Sequence, residues 1–122
     1  MEYTNLSNGI KVPLLGLGTF TISPEDTERS VYEGIKAGYR LIDTANAYLN
    51  EEAVGRGIRR ALEEGLVKRE AIFLSTKIWP THYEREDAVE KTLERLGVTY
   101  VDLLFIHQPS GNFIAGYKNI ER

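Results

Sequence analysis

Ala71-Ile72-Phe73-Leu74-Ser75-Thr76-Lys77 is a short, largely apolar run of strand length that ends on a cation, and helical sequence flanks it on both sides. Before it, Asn50 is a suitable cap for a helix reaching about Glu64. Val54, Ile58, Ala61 and Leu62 line one face, and Gly65 closes it. After it, a helix is expected from about Glu84 to Leu96, with Val89, Thr92, Leu93 and Leu96 turned inward and Gly97 at its end. One step further out lie two more strand-length runs, Tyr39-Arg40-Leu41-Ile42-Asp43 and Tyr100-Val101-Asp102-Leu103-Leu104-Phe105-Ile106-His107. Upstream, Ser23-Pro24-Glu25-Asp26 opens a helix by capping, proline at the first position and acids at the positive end of the dipole. Thr27, Val31 and Ile35 form its stripe and Gly38 its stop. Leu14 to Phe20 is a further candidate strand. Asn8-Gly9, two residues that tolerate positive φ, joins Tyr3–Leu6 to Ile10–Val12 as a hairpin ended by Pro13. Gly116 to Arg122 reads as the first turns of a last helix.

Strands alternating with helices at a repeat of roughly 30 residues predict parallel pairing through right-handed crossovers. No G-x-G-x-x-G turn opens a helix, and Gly16-Leu17-Gly18 only begins such a pattern, so a Rossmann dinucleotide site is not supported.

Composition narrows the function classes. The 122 residues carry 15 basic and 18 acidic side chains, a net charge of −3 that gives no reason to expect nucleic acid as partner. Without cysteine there are no disulfides, Cys-ligated metals or thiol nucleophiles. No apolar run approaches the ~18 residues of a membrane span and no h-region follows Met1, so a cytoplasmic location is expected, with no membrane partner.

Side chains alternate between the faces of a strand. Leu41/Asp43, Phe73/Ser75/Lys77 and Val101/Leu103/Phe105/His107 each form one alternating set, and each set ends on an ionisable residue at the carboxyl end of its strand. Gly16 and Gly18 share the analogous register. If the strands curl into a barrel, Asp43, Lys77 and His107 meet at its top, the end where (β/α)8 barrels build active sites. Singly, each has a blander role: a loop acid, a solvated lysine, a satisfied loop histidine. The shared register is what favours one site. Tyr48, in the loop after Asp43, is one of seven tyrosines, and ordinary packing is its default. Trp79 is either a lid on the core or a pocket wall, and its place after a strand's carboxyl end favours the wall. His82 reads as an exposed loop residue, and Glu63-Glu64 and Glu84–Asp87 as solvated charges.

Gly38-Tyr39-Arg40-Leu41-Ile42-Asp43-Thr44-Ala45, followed by Tyr48, Glu51, Val54 and Gly55, resembles the signature of the aldo-keto reductases. So do Leu93-Glu94-Arg95-Leu96-Gly97-Val98-Thr99-Tyr100-Val101-Asp102-Leu103, leading into Ile106-His107, and Ser75-Thr76-Lys77-Ile78-Trp79. The resemblance implies a (β/α)8 (TIM) barrel that reduces aldehydes and ketones with NADP(H), without a metal. The fold expected here is its first half: strand order 1-2-3-4, helices on one side, an N-terminal β-hairpin in front. Residues 1–122 would form one such domain, ending within the fourth barrel helix. The family's catalytic tetrad falls on Asp43, Tyr48, Lys77 and His107. Tyr48 would be the general acid, Lys77 would activate it, Asp43 would hold Lys77, and His107 would orient the carbonyl. Chemistry agrees with these implied roles: hydride addition to a carbonyl creates an alkoxide that needs a proton as charge develops. A phenol can give it, an ammonium beside the phenol favours that proton's loss, and since no side chain supplies hydride, the nicotinamide must. Thr19, Phe20 and Asp43 match cofactor positions; Phe20, Tyr48, Trp79 and His107 match substrate positions.

The family barrel is about twice this length. An open four-stranded half has two raw edges and an apolar inner face, which suggests self-association or a longer parent chain. The competing readings are an inactive fragment or a non-catalytic assembly subunit of the same fold, and a flavodoxin-like open sheet with helices on both faces. Strand order separates the last of these from the half barrel.

Overall fold

In the computed structural model, which describes residues 1–121, the chain opens with a two-stranded antiparallel ribbon of β1 (Tyr3–Asn5) and β2 (Lys11–Pro13). Its turn is closed by Leu6 N–H to Ile10 O at 2.8 Å and Gly9 N–H to Leu6 O at 2.9 Å. Only Gly9 takes a positive φ, 85°. Asn8 contributes differently from the expectation: its Oδ1 accepts from Ile10 N–H at 3.1 Å. Pro13 is the last residue of β2 rather than the residue beyond it. An edge strand tolerates its missing N–H.

A four-stranded parallel sheet follows, built from β3 (Gly16–Gly18), β4 (Leu41–Asp43), β5 (Phe73–Ile78) and β6 (Leu103–Ile106), in the order β3-β4-β5-β6. Crossovers run through α1 (Pro24–Ala37), α2 (Glu51–Glu63) and α3 (Ala88–Leu96), and α4 (Phe113–Glu121) follows β6. Consecutive order with the helices packed side by side is the half barrel and rules out the flavodoxin-like arrangement. Arg122, at the end of the expected last helix, lies outside the described residues.

Local chemistry sets the helix ends. Ser23 Oγ accepts from Asp26 N–H at the start of α1, and Gly38 ends it with φ 117°. The helix expected from Glu84 begins only at Ala88. Residues 84–87 are all exposed and bring no apolar side chain to the sheet, so they stay in turns. Ala71, expected in β5, belongs instead to a 3₁₀ turn, Arg69–Ala71.

The two sheet faces differ. Ile42, Leu74 and Ile78 face the helices, and all are buried. Ile42 and Leu74 pack with Val31, Ile35, Val54, Ile58 and Leu96. Each such aliphatic side chain stabilises the fold by about 1.5–3 kcal/mol. Gly55 lets α2 lie directly against the end of α3, since a Cβ there would meet Leu96 O at 2.1 Å. The opposite face carries Gly16, Gly18, Leu41, Asp43, Phe73, Ser75, Lys77, Leu103 and Phe105. The ladders align Gly18 with Asp43, Asp43 with Ser75, and Lys77 with Phe105. This is the alternating set expected from the sequence. Phe105 is 42% exposed on it. Among the described residues no helix is long and apolar enough to cross a membrane.

Candidate active site

The site is assembled where the inner-face residues run off the carboxyl ends of the strands. Asp43 ends β4 and Lys77 is the fifth residue of β5, two past Ser75, the partner of Asp43. A lysine stem spans that offset. Lys77 Nζ reaches Asp43 Oδ2 at 2.7 Å and Thr44 O at 2.8 Å, and Ser75 Oγ donates to Asp43 Oδ1 at 2.6 Å. The carboxylate thus has both oxygens engaged, and the ammonium has two acceptors in a half-buried setting.

Tyr48 is carried by a 3₁₀ turn, Asn46–Tyr48, held by Tyr48 N–H to Ala45 O. Its ring centre lies 5.0 Å from Lys77 Nζ and 5.8 Å from the His107 ring, which it meets edge-on at 81°. His107 is fixed by its N–H to Ile78 O, one residue beyond β6. Trp79 meets the same imidazole at 4.9 Å and 83°. Phe20, 67% exposed, lies 5.1 Å from Tyr48. Burial holds the His107 imidazole below its ordinary range; the Lys77 charge adds to this and Asp43 opposes it. The shift favours the neutral form of the ring. Its Nδ1 is buried with no hydrogen-bond partner among the described residues.

The structure thus gathers Asp43, Tyr48, Lys77, His107, Phe20 and Trp79 at one mouth. Thr19 is placed differently. It is fully buried under the rim, with its N–H and hydroxyl on Asp43 O, both at 3.1 Å, and presents no surface to a ligand. His82 is half-buried in the turn Pro80–His82 rather than exposed. The sequence reading did not single out Ser75 or Thr44 as partners of Asp43 and Lys77. It did not place Asn46, whose Oδ1 accepts from Trp79 N–H at 3.0 Å, beside the site. Ser75 was legible, since it shares the alternating set of Lys77; the asparagine contacts cross between elements and leave no periodic trace.

A separate cavity of about 380 Å³ among the ends of α1, α2 and α3, lined by Pro24, Leu49, Arg56, His82 and Arg95, includes none of the four tetrad residues.

A sequence model described as the aldo/keto reductase family matches residues 14–119. The chain belongs to the aldo/keto reductase family. This member is 48% identical over 107 residues to an NAD(P)H-dependent D-xylose reductase of Candida tenuis, a match covering 85% of this chain and 33% of that protein. It is 46% identical over 107 residues to an NADPH-dependent aldose reductase of Saccharomyces cerevisiae, with the same coverage. In three dimensions it resembles the crystal structure of a Bombyx mori aldo-keto reductase in complex with NADP. The TM-score is 0.90 at 33% identity, over 98% of this chain and 45% of that one. This aldo/keto reductase chain spans about a third of the length of the curated relatives it matches.

Proposed function

We propose that this chain carries the proton-transfer half of an NADP-dependent reductase of small aldehydes and ketones. The observation that supports this most is the Asp43–Lys77 pair at 2.7 Å, with the ammonium 5.0 Å from the Tyr48 ring centre and His107 edge-on to that ring at one strand-end mouth.

The residues present fit the nicotinamide end of the cofactor. Gly18, level with Asp43 on the inner face, has nothing within 4 Å of where a Cβ would stand, leaving a floor for a flat ring. The exposed Phe20 ring supplies a wall. Phe20 and Asp43 are the residues assigned to hold it, with Thr19 supporting from below. The bound cofactor supplies hydride. Tyr48 donates the proton to the developing alkoxide, and His107 and Trp79 orient the carbonyl between them. Lys77 stabilises the charge left on the phenol, and Asp43 and Thr44 O keep that ammonium in place. A cytoplasmic location accompanies this reading.

Aldehyde-dependent NADPH oxidation tests it, with Tyr48→Phe as the control. Turnover is expected for the native chain and a loss of about 100-fold or more for the variant. Turnover that survives the substitution removes Tyr48 as the acid. The second reading, a non-catalytic member of the fold, rests on the exposure of Phe105 on the inner face. It is favoured if no turnover appears while the fold is intact.

A further inference from the structure

We infer that Asn50 is a positioning residue that sets the Lys77–Tyr48 geometry from outside the site. This rests on the reductase reading above.

Asn50 has the sequence features of a helix cap, yet its side chain makes no capping bond to α2. It is only 2% exposed and turns inward. Its Nδ2 donates to Thr19 O at 2.8 Å, with Ile22 O at 3.3 Å and Thr27 Oγ1 at 3.4 Å. Its Oδ1 accepts from Thr44 Oγ1 at 2.9 Å and from Thr19 Oγ1 at 3.5 Å. The amide orientation is forced, because the two carbonyls can only accept and must face the nitrogen.

What it ties together is specific. Thr19 follows β3 and precedes Phe20; Thr44 follows Asp43, and its carbonyl receives the Lys77 ammonium at 2.8 Å. Asn50 itself stands two residues after Tyr48, reached through Leu49 in a left-handed conformation with φ 59°. That conformation is strained for a non-glycine residue and persists only where neighbouring contacts enforce it. One amide thus fixes the strand end that holds Lys77 and the turn that holds Tyr48. Aspartate places a carboxylate against two carbonyls, leucine leaves both unpaired, and serine is too short to span the gap.

The test compares Asn50→Ala and Thr44→Val with Thr27→Val, which removes a bond of the same amide on the α1 side, away from the site. Two readouts are used. The first is the kcat and KM of aldehyde reduction. The second is the set of NMR contacts between the Tyr48 and His107 rings, which needs no turnover. For Asn50→Ala we expect kcat to fall between about 10- and 100-fold, with KM for the carbonyl nearly unchanged and the ring contacts weakened. Thr44→Val should move the same way by less. Thr27→Val should lower the melting temperature and leave both readouts alone. Equal effects on both readouts from the Thr44 and Thr27 variants, or intact ring contacts and kcat in Asn50→Ala, overturn the inference. If Asn50→Ala fails to fold, Thr44→Val against Thr27→Val decides. If the native chain shows no turnover, the reductase reading fails, and the ring contacts alone decide the positioning role.

Discussion

Lys77 Nζ stands 2.7 Å from Asp43 Oδ2 and 5.0 Å from the centre of the Tyr48 ring, so one ammonium connects a carboxylate that restrains it to a phenol that it faces. Its side chain is 16% exposed and that of Asp43 33%, which leaves the pair partly desolvated. Removing either charge therefore has more consequence than breaking a surface ion pair. Asp43→Asn keeps the shape but leaves the ammonium with neutral acceptors only. A loss of about 1–3 kcal/mol in urea unfolding is expected, with reductase activity down at least 10-fold. Unchanged stability would show that Thr44 O alone suffices to hold Lys77.

Gly18 and Gly55 should separate binding from folding. A Cβ at Gly18 meets nothing within 4 Å, and this glycine needs no positive φ. Gly18→Ala is expected to leave the melting temperature within experimental error and to weaken NADPH binding, measured by fluorescence titration. Gly55→Ala brings its Cβ to 2.1 Å from Leu96 O and 2.7 Å from Leu96 C, both backbone atoms of a packed helix end. Overpacking of that kind costs about 1–3 kcal/mol, with spectroscopic loss of α2–α3 packing. Equal cofactor affinity for native and Gly18→Ala protein would place the nicotinamide elsewhere.

Much of this site could be read from alternation alone. Leu41/Asp43, Phe73/Ser75/Lys77 and Leu103/Phe105 share a face in the structure because a pleated strand permits nothing else once the sheet is parallel and in register. Pairing distances inside the site followed less directly. Tyr48 depends on a 3₁₀ turn and a left-handed Leu49. Thr19 matches a cofactor position by motif, whereas its buried hydroxyl donates to Asp43 O. Asn50 satisfies a capping rule by residue type, but Thr19, Ile22, Thr27 and Thr44 outcompete the helix N-terminus for its amide. Such choices between local and distant hydrogen bonds are made by packing, and no short sequence window holds them.

The β6 side of the inner face predicts association. Phe105 is 42% exposed on the inner face, and among the described residues β3 and β6 each have one edge without a partner strand. Parallel sheets are ordinarily covered on both faces, and unpaired edges recruit further strands. The 122-residue chain is expected to self-associate in sedimentation velocity across a concentration series, and Phe105→Lys to reduce that association. A single monomeric species at high concentration would contradict this.

Stability should depend on pH through His107. The fold holds this imidazole below the ~6.5 of a free histidine, so the unfolded chain binds its proton first as the pH drops. The neutral ring's contribution is complete above that value and is lost as the pH falls through the lower folded value. Native protein should therefore lose stability relative to His107→Gln between pH 7 and 5, measured by urea midpoints. Parallel curves would show that the ring is not desolvated.

Glu51 gives the opposite sign and the sharper test of how α2, α3 and β5 are locked behind the site. Its side chain is 1% exposed and accepts from Thr76 Oγ1 and Arg95 Nε, each at 2.8 Å. Burial raises its carboxyl above the ordinary range, against the lowering effect of those two partners. A raised carboxyl contributes stability that is present below the unfolded value and lost as the pH rises through the folded one. Arg95→Met removes the charge that opposes the rise, so the folded value climbs further and ionisation at neutral pH becomes costlier. The variant's deficit should be small near pH 4.5 and grow to about 3 kcal/mol by pH 7.5, as expected for a buried charge that has lost its partner. Adding Glu51→Gln to Arg95→Met should flatten that pH dependence, because the neutral amide still accepts from Thr76. A deficit independent of pH would mean that Arg95 acts through the packing of its stem and not through the carboxylate.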